Sequence, residues 1–249
     1  MQKPFPSYIS QVICIRTHAK DDDVRHKSKD IETAFRGVID QQSKQTNVPA
    51  DFPPEIPRVL MQSGSKNISV SLVNCQLTMS FDSSTDLQKA LGIAEKNLRQ
   101  FWSGYNQLVP KESRRHSGIV VTANKPSKDE IRVIATELHG RLVKVSPLGE
   151  VASCEVRLGY RQPSGLFNNF SVTSYEIREQ LVEEMKKGYV DMDSVPVKEW
   201  GYELKFDVNS RSVAGTELAT NDTAIDPLLA DLKALIFNKS LAVNDLVES

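Results

Sequence analysis

The sequence is poor in the residues that most often carry chemistry. It holds four histidines, three cysteines and two tryptophans in 249 residues. Cys14, Cys75 and Cys154 are odd in number, widely spaced and in no CxxC pair, so neither a disulfide framework nor a zinc ribbon is expected. Each lies in an apolar or alternating run, which predicts a buried, reduced thiol. No apolar run approaches the about 18 residues that cross a bilayer, and no apolar leader opens the chain. A cytoplasmic location without a membrane partner is therefore expected. The net charge is -1, so no global basic field draws in nucleic acid. GxGxxG, P-loop, GxSxG and HExxH signatures are all missing. The expectation is a chain with no cofactor, no metal and no catalytic residue that sequence can name, leaning away from an enzyme.

What is present is ordinary for a globular protein: 39 % hydrophobic and 25 % charged residues, enough to bury a sizeable core. Residues 1–117 hold 16 Lys/Arg against 12 Asp/Glu, a net of +4, and residues 118–249 hold 15 against 20, a net of -5. Screening makes attraction between the halves weak.

The patterning is a succession of short elements. YISQVICIR (8–16) is β-branched and reads as a strand, followed by a helix from Ser28 with Ile31, Ala34, Phe35 and Val38 at helical spacing. NVPADFPPEIP (47–57), with four prolines, interrupts regular structure. RVLMQS (58–63) and NISVSLVN (67–74) flank Gly64 as a hairpin, and CQLTMSF (75–81) alternates again. TDLQKALGIAEKNLRQFWSGY (85–105) is the clearest helix, with Thr85 and Gln88 matching a capping box and Trp102 and Tyr105 on its apolar stripe.

PKESRRHSG (110–118), polar and bounded by Pro and Gly, predicts an internal boundary, after which the order begins again. GIVVT (118–122) reads as a strand, Ser127 to Glu130 as a capping box opening a helix, and EVASCEVRLGYR (150–161), LFNNFSVTSY (166–175) and EWGYELKFDVN (199–209) as strands. Asp226 reads as the N-cap of a last helix, with Pro227 at its first position. EIREQLVEEMKKG (176–188) suits either an extra helix or an extended strand. The expected fold is α+β: two pseudo-repeated β-α-β-β-β-α modules, residues 1–112 and 113–249. Each is a mainly antiparallel sheet covered by helices, and the two either share one sheet or stack.

Several stretches invite a functional reading. HAKDDDVRH (18–26) has two histidines around three aspartates, but it matches TANKPSKDE (122–130) as a strand-to-helix junction, where the helix dipole favours acids without a metal. SGSK (63–66) joins two strands, so it lacks the helix N-terminus a phosphate loop needs. Asp191, Asp193 and Asp207 have no calcium-loop ladder and read as loop acids. Tyr202, Lys205 and Phe206 hint at an RNA-binding strand, opposed by Glu199, Glu203 and Asp207. Arg114 and Arg115, followed by His116, are the candidate binding residues, able to meet an anion or an acidic partner.

The segments PFPSYISQVICIR, PPEIPRVLMQSGSKNISVSLVNCQLTMSFD and ADLKALIFNKSLAVNDL are laid out like a known family. The chain resembles a sporadically distributed bacterial family of about this length that has no established function. Ser10 and Gln11 stand where that family usually has a glutamate. The resemblance implies a full-length unit in a mobile gene context, near defence or toxin genes, and it supplies no catalytic residues. With it, the expectation is a non-enzymatic factor that binds another protein. It would be an accessory, inhibitor or immunity-like protein of a bacterial or phage conflict system. The alternative is a nucleic-acid or nucleotide-associated factor.

Overall fold

Alternation along each strand makes one side of the pleat dry and leaves the other wetter. In a computed structural model, which describes residues 8–49, 51–143, 149–179 and 195–238, those strands assemble into one antiparallel sheet. The elements are β1 (Tyr8–His18), α1 (Ser28–Phe35), β2 (Lys44–Gln45), β3 (Val59–Ser63), β4 (Lys66–Val70), β5 (Asn74–Ser80), α2 (Leu87–Leu108), β6 (Arg114–Ser127), α3 (Ile131–Leu142), β7 (Glu155–Arg161), β8 (Phe167–Arg178), β9 (Val197–Asn209), α4 (Glu217–Thr220) and α5 (Ile225–Asn238). The strand order is β2-β3-β4-β5-β1-β6-β9-β8-β7. The architecture is mixed α+β, and the two halves of the chain meet edge to edge where β1 pairs with β6.

One transverse row shows the covered face. Met61, Ile68, Leu77, Cys14, Ile119, Val208 and Asn168 lie opposite one another from β3 to β8, and all are buried. Among the described residues, four helices cover this face: α2 against β1 and β5, α1 on α2, α3 against β8 and β9, and α5 against β9 and β6. The Phe35 and Phe101 rings stack at 5.2 Å between α1 and α2. The helices approach closely there because residue 104 is glycine: a Cβ on Gly104 would sit 2.3 Å from the Ala34 carbonyl oxygen. No helix among the described residues is long and apolar enough to cross a membrane.

Several boundaries differ from the sequence expectation. The polar stretch 110–118 is not a loop. A short 3-10 turn over Lys111–Ser113 leads at once into β6, a central strand. Its polar residues are tolerated because neighbours satisfy them: Ser117 N–H donates to Ser210 Oγ, and Thr17 Oγ1 accepts from His116 N–H. Asp86, not Thr85, caps α2, accepting from the amides of Gln88 and Lys89. α3 starts at Ile131, while Ser127 ends β6 and accepts from the Asp129 amide. β7 starts at Glu155, and α5 starts at Ile225, which places Asp226 in its first turn. Residues 176–178 belong to β8; residues 180–188 of the ambiguous segment, with Asp191 and Asp193, lie outside the described residues.

Candidate functional site

The face of the sheet opposite the described helices carries the alternate residues of each strand. Its central row runs Gln62, Asn67, Thr78, Ile13, Val120, Asp207, Asn169 and Gly159, from β3 to β7. The next row brings Ile15 beside Gly118 and Gln76. Ile13, Ile15 and Val120 are half-buried and form a short apolar strip over the β1–β6 seam. Amides and hydroxyls flank it: Gln76 and Thr78 are bonded at 3.1 Å, and Asn67 lies beyond them.

The charges around the centre of this face are paired within it, while Glu155, Arg157 and Arg161 at its β7 edge make no ion pair among the described residues. Lys205 pairs with Glu203 at 2.8 Å. The Asp207 carboxylate accepts from the Asn169 amide at 2.9 Å and the Asn209 amide at 3.1 Å. At one end Glu199 Oε1 accepts from the Tyr8 hydroxyl at 2.8 Å and the Tyr175 hydroxyl at 2.5 Å, and Asn124 Nδ2 donates to Tyr8. Burial, and then the Glu199 carboxylate, push both phenols up, so they stay protonated donors. The result is an amide-rich plane whose apolar centre is bordered by paired charges. Towards the opposite end of the strands, Thr17 Oγ1 lies 3.0 Å from His116 Nδ1 and also meets the His116 carbonyl oxygen and amide.

The covered face holds a different cluster. Arg16 is 1 % exposed and stacks between Trp102 and Tyr105, with ring centres 3.6 Å and 4.0 Å from the guanidinium carbon. Its Nε donates to Ser117 Oγ and its Nη1 to Asn106 Oδ1 at 2.6 Å, while its buried Nη2 has no partner among the described residues. Burial lowers its pKa to about 10, so it remains a cation at neutral pH. Asn106 also accepts from Arg114 through its carbonyl, and with Trp102 it lines an open cleft of about 480 Å³ between α2 and the start of α5. The charged groups on that cleft are engaged: Arg99 with Asp226 and Asp222 with Arg114.

The two candidate arginines therefore part company. Arg114 is 5 % exposed and is consumed inside the protein, donating to the carbonyls of Val109, Thr220 and Asn106 and to Asp222. Arg115 is exposed, its Nη1 turned back to the Glu112 and Arg114 carbonyls. They form no joint basic patch. His18 is buried against Tyr105 and bonded to the Ala19 carbonyl, whereas His26 is exposed. Asp21 and Asp22 pair with Lys27 and Lys20. No group of His, Cys, Asp and Glu suited to a metal occurs among the described residues. Tyr202 and Phe206 face the helices and are buried, and Lys205 faces the other way, so the hinted aromatic and basic strand is split between faces. SGSK is the expected hairpin turn, with Gly64 at φ 55° and Lys66 Nζ donating to the Val38 carbonyl.

No protein-family model, no curated protein and no solved structure matches the chain.

Proposed function

We propose that this protein is a non-enzymatic binding factor that takes another protein against the open face of its sheet. The observation that carries this reading is the Ile13, Ile15 and Val120 strip set in a plane of amides, hydroxyls and internally paired charges. Such a surface offers an apolar centre with a polar rim, the usual anatomy of a protein interface. Around the strip the charges are already paired, which suits a neutral partner surface better than a phosphate backbone, which needs unpaired cations. An accessory, inhibitor or immunity-like role in a bacterial or phage conflict system rests on the family resemblance alone and belongs to the same proposal.

We also propose that residues 1–112 and 113–249 are two copies of one β-α-β-β-β-α module. Supporting this, the order β3-β4-β5-β1 on one side of the seam is mirrored by β7-β8-β9-β6 on the other, and each half closes with a helix over its own strands.

The test is affinity capture from the native host with the wild-type chain and with Val120→Arg, a half-buried open-face position. One stoichiometric protein held by the first and lost by the second supports the reading. Capture of nucleic acid alone, retained at about 50 mM salt and released as salt rises, would replace it with the alternative.

A further inference from the structure

The two edges of the sheet end differently. At one, β3 is followed among the described residues only by the two-residue β2, a short edge of the kind that resists further pairing. At the other, β7 is seven residues long and pairs only with β8 among the described residues. Every β7 residue except Val156 is exposed. Leu158 and Tyr160 are 46 % and 42 % exposed, although the residues opposite them on β8, Phe170 and Asn168, are buried. The described helices thus stop one strand short of this edge. Glu155, Arg157 and Arg161 make no ion pair among the described residues.

We propose that β7 joins to β7 of a second copy, antiparallel about a twofold axis through Leu158 and normal to the sheet, making one continuous sheet across the dimer. Such an axis keeps each side chain on its own face, so opposed residues must share parity along the strand. A register centred on Arg157 would set that arginine against its own copy. One centred on Gly159 would set Arg157 against the partner's Arg161 twice, and like charges directly opposite are unfavourable.

The register centred on Leu158 removes both conflicts. It places Glu155 opposite the partner's Arg161 at each end, Val156 opposite the partner's Tyr160, and Leu158 against the partner's Leu158. Arg157 then faces the partner's Gly159, which has no side chain to repel it. Edge charges deter indiscriminate pairing; here the Leu158-centred register is the one that pairs all seven residues of EVRLGYR, and it does so without opposing like charges and covers the apolar pair that the described helices leave exposed. The self-complementarity is what selects a second copy over a foreign strand. This interface runs along the β7 edge, away from the Ile13, Ile15 and Val120 strip, and does not depend on that reading.

Sedimentation of the full chain at about 100 µM tests it. The expected mass is twice 27.8 kDa. Arg161→Glu opposes two glutamates at each end and is expected to weaken association at least tenfold, with circular dichroism unchanged because the position is exposed. Glu155→Arg combined with Arg161→Glu restores the complement and is expected to restore the dimer. A monomeric wild type overturns the proposal. So does a dimer indifferent to Arg161→Glu, or a double variant that stays monomeric.

Discussion

The guanidinium of Arg16 lies 3.6 Å from the centre of the Trp102 ring, and no carboxylate pairs with it among the described residues. A buried cation needs compensation. Here two aromatic faces and two hydrogen bonds supply it, tying β1 to α2 and β6. Arg16→Ala removes the stack and leaves a cavity, and it is expected to cost about 2–4 kcal/mol in urea unfolding. Arg16→Lys keeps the charge but loses the planar fork and is expected to cost about 1–2 kcal/mol. A lysine variant as stable as wild type would show that the planar geometry is irrelevant.

Arg114 and Arg115, adjacent in sequence, are expected to behave oppositely. Arg114→Ala strips a donor from three buried or half-buried carbonyls and from Asp222. The expected loss is about 1–3 kcal/mol. Arg115→Ala removes only contacts at the surface and is expected to leave the urea midpoint unchanged. Equal effects from both would contradict the placement of Arg114 in the interior.

His18 sets a pH dependence. Burial lowers its pKa below the ordinary 6.5, with the Ala19 carbonyl and Asp21 only partly opposing. The unfolded chain therefore binds the proton first, and stability falls as pH drops from 6.5 through the depressed value. The groups facing His18 include the Tyr105 ring, Asp21 and Lys27. His116, lowered by burial and then by Arg211, adds to the same window. Asp21 and Glu95, whose carboxyl pKa values are lowered, act below the ordinary carboxylate range and do not obscure it. His18→Gln is expected to flatten the dependence of the unfolding midpoint between pH 6.5 and 5.5. An unchanged slope would remove His18 as its source.

Burial pushes the Cys14 and Cys75 thiols up to about 12 and raises Cys154 as well. Native protein is expected to react with a thiol reagent at Cys154 first and at the other two only on unfolding. Fast labelling of Cys14 or Cys75 in native protein would contradict the packing of β1 against β5.

The strands with strict alternation, β1, β5 and β9, are legible in the sequence because one face of each is buried by helices. The stripe of α2 is legible for the same reason, in Leu91, Ala94, Leu98, Phe101 and Tyr105. Residues 114–118 were opaque. The Ser117 and His116 amides are satisfied by Ser210 and Thr17, and the Arg114 guanidinium by the Thr220 carbonyl at the end of α4, partners far away in the chain that no local pattern announces. The burial of Arg114 follows from the same contacts. The open face was legible only in part: alternation predicts a wetter side, but Ile13 and Val120 meet there through a pairing of 107 positions' separation, β1 to β6. The thiols, by contrast, are free and buried as their apolar surroundings predict.

The most direct measurement is the affinity of the captured partner for three purified chains: wild type, Val120→Arg and Arg115→Glu. The account predicts at least a tenfold loss with Val120→Arg, which puts a charge at the apolar centre of the open face, and no change with Arg115→Glu. Binding indifferent to Val120→Arg, or abolished by Arg115→Glu, would contradict it.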